Sequence, residues 1–151
     1  MTFPCNGNAQ QLMSVMQNNM NLFAGNRSTF FAADFPVQPI QIGAAYHIVP
    51  GINAGNGYEF PTAILAVTVT AQTPNSWTFT TDPSQHYFNG TVTFATSNAG
   101  AGNVSLSVTA NANFVSPVTK YTIGPLIKAG ENSTWNNMLK AAQAYCEAAT
   151  F

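Results

Sequence analysis

The chain has 151 residues, of which only four are Lys or Arg and five Asp or Glu, for a formal net charge of −1. That is one domain's worth of chain, long enough to fold around its own core without a metal or a disulfide. The four cations, Arg27, Lys120, Lys128 and Lys140, are scattered; this argues against nucleic acid and anionic lipid, and no apolar run is long enough for a transmembrane helix.

Cys5 and Cys146 lie near the two ends of the chain. A disulfide between them would close almost the whole chain and place the protein in an oxidising compartment. Two isolated cysteines make no metal site. The opening MTFPCNGNAQ has neither a basic head nor an apolar run, so it does not read as a signal peptide.

Asn8 predicts the cap of a helix over residues 9–24. Leu12, Met13, Met16, Met20 and Phe23 form its apolar stripe, and Gly25 its stop. Its polar face carries Gln, Asn and Ser where Glu and Lys are usual. A second helix is predicted over 133–149, capped by Ser133, with Trp135, Met138, Leu139, Ala142, Cys146 and Ala149 on one face. The β region between them spans 37–126. Its strands are expected at 37–42, 46–49, 63–71, 77–81, 91–97, 104–111 and 120–126. Turns are expected at Pro50-Gly51, Asn56-Gly57, Pro74-Asn75, Asp82-Pro83 and Asn89-Gly90.

The clearest hairpin is 91–110. Val92 and Phe94 should share a face with Val104, Leu106 and Val108, and Thr91, Thr93, Ser105, Ser107 and Thr109 the opposite one. Residues 98–103 should form its loop. The expected fold is α+β: an antiparallel β-sandwich or open barrel of about six to eight strands, with the terminal helices packed on it, as a single domain over 1–151.

Obvious chemistry is sparse. Asp82, Ser84 and His86 crowd into one short turn, which suits a backbone-capping Asp better than a catalytic relay. His47 sits alone on a strand. The two histidines are too far apart for a metal motif, and no phosphate-binding glycine pattern or cofactor signature is present. No enzymatic activity is expected.

A surface this poor in charge suits neutral partners or further copies of itself. Unpaired charges are costly at interfaces, so the composition points to a secreted or cell-surface structural protein that self-assembles as a homo-oligomer. The alternative is a lectin-like or membrane-binding module, pore-forming in one version, that takes a neutral glycan or zwitterionic lipid. Its candidate ligand residues are Trp77, Tyr87, Tyr58 and His86, with Trp77 and Tyr87 flanking turns as the leading platforms.

Overall fold

The computed structural model describes residues 1–24, 31–34, 38–53, 58–61, 65–82, 84, 88–114, 116 and 124–151. Chain order is β1 (Thr2–Pro4), α1 (Ala9–Asn18), α2 (Met20–Ala24), β2 (Phe31–Asp34), β3 (Ala45–Asn53), β4 (Tyr58–Pro61), β5 (Leu65–Thr73), β6 (Ser76–Thr81), β7 (Phe88–Gly100), β8 (Asn103–Phe114) and α3 (Gly124–Ala148). The architecture is α+β, as the sequence implies. Of the two arrangements expected, the open one is observed: one antiparallel sheet ordered β1-β8-β7-β6-β5-β3-β2, with β4 also paired to β3.

The β7–β8 hairpin keeps the predicted faces. Phe94 lies opposite Val108, Thr96 opposite Leu106 and Thr93 opposite Thr109. The strands run further than expected, to a tight tip where Gly100, Ala101 and Gly102 all have positive φ. Asn89-Gly90 and Pro50-Gly51, expected as turns, lie inside β7 and β3. Gly90 is held there by Thr81, whose Oγ1 accepts from the Gly90 N–H at 2.9 Å and donates to its carbonyl at 3.2 Å. Pro74-Asn75 is a turn, while Asn56-Gly57 lies outside the described residues.

Asn8 caps α1 as predicted. Its side chain accepts from the Gln11 N–H at 3.0 Å, and Gln11 Oε1 accepts from the Asn8 N–H at 2.9 Å, the reciprocal capping box. The single helix expected over 9–24 is instead broken at Asn19. There the side-chain amide donates to the Val15 carbonyl at 2.9 Å, a local bond of the kind that competes with the helical ladder.

The last helix starts nine residues earlier than expected. Gly124–Leu126, read as the end of a strand, belong to it, and Ser133 is interior. Pro125 is tolerated because first-turn N–H groups need no helical acceptor. Residues 38–42, expected in a strand, belong to none.

One face of the sheet is the core. Tyr46, Ile48, Val67, Val69, Trp77, Phe79, Phe94, Val104 and Leu106 point inward and are buried with Leu12, Met13, Met16, Met20, Met138, Ala142 and Cys146 from the helices. The opposite face carries Thr68, Thr70, Thr78, Thr80, Thr91, Thr93, Ser105, Ser107 and Thr109, which meet across strands. Thr70 and Thr80 hydroxyls lie 2.7 Å apart, and those of Thr78 and Thr93 2.9 Å. Hydroxyl pairs therefore do the cross-strand work that charges often do.

Candidate functional site

One end of α3 is tied to the sheet by a disulfide, and the helix also packs against β2 at the opposite edge. At the tied end Cys5 and Cys146 form the disulfide expected from the sequence. The Asn6 N–H donates to the Cys146 carbonyl at 3.1 Å, and its side-chain amide donates to the carbonyls of Glu147 and Ala149 at 3.1 and 3.2 Å. The Cys5 N–H donates to the Gly102 carbonyl at the hairpin tip. These bonds satisfy carbonyls that a helix C-terminus leaves open.

Helix α1 closes the same end of the sheet. Thr96 Oγ1, buried, donates to the Ala9 carbonyl at 2.8 Å, and the Ala9 N–H donates to Asn98 Oδ1 at 2.9 Å. Further along, Gln17 Nε2 donates to the Thr73 and Ser76 carbonyls at 3.0 and 3.2 Å. Gln72 Nε2 donates to Gln17 Oε1 and the Ile40 carbonyl, and Gln72 Oε1 accepts from the Ile42 N–H. Two neutral amides thus join helix, sheet and the 38–42 segment without an ion.

Away from that end the inner face becomes progressively less covered. Along β8, Val104 and Leu106 are buried, Val108 is half-buried, and Ala110 on the same face is exposed. Along β7, Phe94 is buried and Val92 half-buried. On α3, Cys146, Ala142 and Met138 are buried, whereas Trp135 is half-buried, edge-on to Phe94 with ring centroids 5.2 Å apart. An aromatic group lies where the cover of this face is complete. Trp77 stacks on Phe94 at 4.5 Å, and Phe79 meets both rings edge-on.

One polar atom in that group is unpaired. Trp77 Nε1 is buried and makes no hydrogen bond. An indole N–H is a donor only, and leaving one buried and unpaired costs about 1–3 kcal/mol. The other buried polar groups on this face whose bonds are described have partners: Tyr46 donates to the Pro39 carbonyl, Thr81 to Gly90 and Thr96 to Ala9.

These placements revise the candidate list. Trp77 was expected beside a turn as an exposed platform; it is 0% exposed. Strand alternation with Phe79 and Thr81 turns it inward, as the burial pattern of β6 shows. Tyr58 lies in β4, but its side chain is outside the described residues, as are His86 and Tyr87. Asp82 caps its turn as anticipated. Its Oδ1 accepts from the Ser84 N–H at 2.9 Å and the Ser84 hydroxyl at 2.6 Å, and these two bonds hold its carboxyl below the usual value. His47 is exposed, on the outer face.

The sequence places Val92, Phe94 and Val108 on an inward face, and Trp135 on the apolar helix stripe with a ligand platform as its lesser reading. The alternation that placed them inward was visible; the thinning of cover along the helix was not. A hollow of about 330 Å³ lies between α1–α2 and α3, lined by Val15, Asn19, Leu22, Phe23, Ala141 and Tyr145. Among the described residues no helix is long and apolar enough to cross a membrane.

No protein-family model matches the chain, and no curated protein is similar to it in sequence. Solved structures are similar to it in fold over nearly its whole length. Protein CV1439 from Chromobacterium violaceum aligns with 99% of this chain and 96% of its own at a TM-score of 0.63 and 14% identity. Protein TTHA0849 from Thermus thermophilus gives 100%, 96%, 0.62 and 11%. Ginseng major latex-like protein 151 from Panax ginseng gives 97%, 94%, 0.58 and 7%.

The likeness is one of fold, an antiparallel sheet with a long C-terminal helix packed on it. That finding overturns the expectation of an extracellular self-assembling structural protein, and with it the lectin-like or pore-forming sandwich. The missing charges have a local explanation instead. Hydroxyl pairs cover the outer sheet face, and the Gln17–Gln72 amides replace ions at a junction.

Proposed function

We propose that the protein binds a small apolar molecule in the cleft between the inner face of the sheet and α3. The observation that carries this is the loss of cover along one face: Leu106 buried, Val108 half-buried, Ala110 exposed, with Trp135 half-buried opposite. Apolar side chains facing a cleft gain when a ligand removes them from water, by about 25 cal/mol per Å². Pockets for small ligands are mostly apolar, with few polar groups. Structures similar in fold support the same reading, being Bet v1-like ligand-binding proteins.

The protein acts as a binder rather than an enzyme in this proposal. Supporting it, His47 lies on the outer sheet face, and Lys140 and Glu147 are exposed on α3. The disulfide supports an oxidising compartment as its place of work.

Nile red, a neutral dye that brightens in apolar surroundings, tests the proposal. It should bind the wild-type protein saturably. Ala110→Trp should fill the cleft, lowering affinity about tenfold or more while the thermal unfolding midpoint is kept. No saturable binding, or unchanged affinity in the folded variant, refutes the reading.

A further inference from the structure

We infer that residues 149–151 form a latch over the Cys5–Cys146 disulfide, and that a small thiol reduces the bond only after the Phe151 ring lifts away from Gly7. This gating is independent of the proposed ligand binding. It rests on three consecutive residues, Cys5, Asn6 and Gly7, which grip the end of α3 and the residues beyond it at successive points. Cys5 is bonded to Cys146. The Asn6 N–H donates to the Cys146 carbonyl, and its side-chain amide to those of Glu147 and Ala149. Gly7 lies against the ring of Phe151, so close that a β-carbon on it would sit 2.5 Å from Cγ and Cδ2.

That contact explains why residue 7 is a glycine. The described glycines with positive φ are Gly43, Gly100 and Gly102, so the backbone of Gly7 is one that other residues adopt. What Gly7 supplies is the absence of a β-carbon, and the Phe151 ring takes the space. Tyr145 seats the same ring from α3, edge-on with centroids 5.7 Å apart. The ring is thus wedged between a residue two positions from Cys5 and the residue before Cys146.

The bond itself is closed off: Cys146 is 0% exposed and Cys5 8%. Exchange begins with a thiolate attacking one sulfur, so covering groups have to move first. Among the described residues none hydrogen-bonds to Thr150 or Phe151, and ring contacts hold that end down. A segment held by so few contacts opens at far less cost than the whole fold. Attack then falls on Cys5 Sγ, the less covered sulfur. One thiolate of a dithiol bonds to it, and the S–S electron pair leaves on Cys146 Sγ, which takes a proton. The second thiol, as thiolate, displaces Cys5, which is protonated in turn. The dithiol gives up two electrons and becomes a cyclic disulfide.

The test is the rate at which excess dithiothreitol reduces the folded protein, read by quenching with iodoacetamide and counting alkylated cysteines by mass. Phe151→Ala removes the ring. Gly7→Ala drives it from its seat and leaves the ring and both cysteines in the chain. Each should speed reduction about tenfold, with the urea midpoint of the oxidised protein unchanged, and Phe151→Tyr should keep the wild-type rate. Urea below the unfolding transition should raise the wild-type rate only weakly, because lifting the latch exposes little surface.

Wild-type rates in both alanine variants overturn the inference. So does a wild-type urea dependence as steep as that of unfolding, which would mean that the bond is reached by opening the whole fold. A gain in rate matched by an equal loss of unfolding free energy has the same meaning. The urea dependence needs no variant, so it decides even where Gly7→Ala does not fold. Nile red binding does not enter the readout, and the failure of either proposal leaves the other standing.

Discussion

Replacing Cys5 and Cys146 together by alanine should cost the protein a large part of its stability. The bond joins residues 141 positions apart. On the chain-entropy account, freeing a loop of that length returns about 5 kcal/mol to the unfolded chain at 25 °C. Domains have ~5–15 kcal/mol in total, so the variant should sit near the edge of folding. At roughly 2–4 °C per kcal/mol for this chain length, the thermal midpoint should fall by about 10–20 °C.

Neighbouring bonds do not offset the loss. The N-terminal amine donates to the Leu106 carbonyl at 2.8 Å, β1 pairs with β8, and Asn6 holds the end of α3. All of these act in the folded state alone, whereas the disulfide also restricts the unfolded one. The assay is guanidinium unfolding of the oxidised protein and the double alanine variant, followed by circular dichroism and tryptophan fluorescence. The denaturant slope should hold or rise, because the freed chain exposes at least as much surface. A loss below about 1 kcal/mol would refute the loop-closure argument.

Three other changes test the neutral polar network. Gln72→Leu leaves the Ile40 carbonyl, the Ile42 N–H and Gln17 without their partner; it should cost about 2 kcal/mol and raise amide exchange at Ile42. Thr96→Val keeps the shape but removes the bond to the Ala9 carbonyl, and should cost about 1–2 kcal/mol by urea unfolding; a neutral result would mean the carbonyl finds another donor. Asp82 has its pKa lowered by the two Ser84 bonds. Its contribution is therefore present above the ordinary value of 3.8 and lost as pH falls through the lowered one. Ser84→Ala should flatten that acid limb by lowering stability slightly in the neutral region, and leave the most acidic end unchanged.

The hairpin and the first helix were legible in the sequence because local chemistry and tertiary demand agree there. Strict alternation set the β7 and β8 faces, and Asn8 with Gln11 marked the start of α1. Failures came where two local signals competed. The short apolar run before Gly124 resembled a strand, while Pro125 marked the first turn of a helix. Asn89-Gly90 carries a strong turn signal, yet Thr81 supplies both bonds that keep Gly90 in a strand.

Trp77 was misplaced because its nearness to the Pro74-Asn75 turn was weighed above its alternation with Phe79. Scarcity of charge was a true observation attached to the wrong cause. It reads as an interface property when partners inside the fold are unknown, and hydroxyl pairing across a sheet is invisible until the register is known. The burial gradient along β8 was the least legible feature, since cover by a distant helix leaves no local mark on a strand.

The staple at one end of α3 gives that helix the mechanics of a lever. Cys146 is fixed to β1's end of the molecule, and Gly124 is 22 residues away along the same helix. At 1.5 Å per residue the arm is about 33 Å long. A tilt of only ~10° about the pinned end would carry the far end through about 6 Å, roughly the width of an aromatic ring, while the residues beside the disulfide barely move. Under the proposed binding, admission of a guest would fall to one end of the rod and retention of the core to the other.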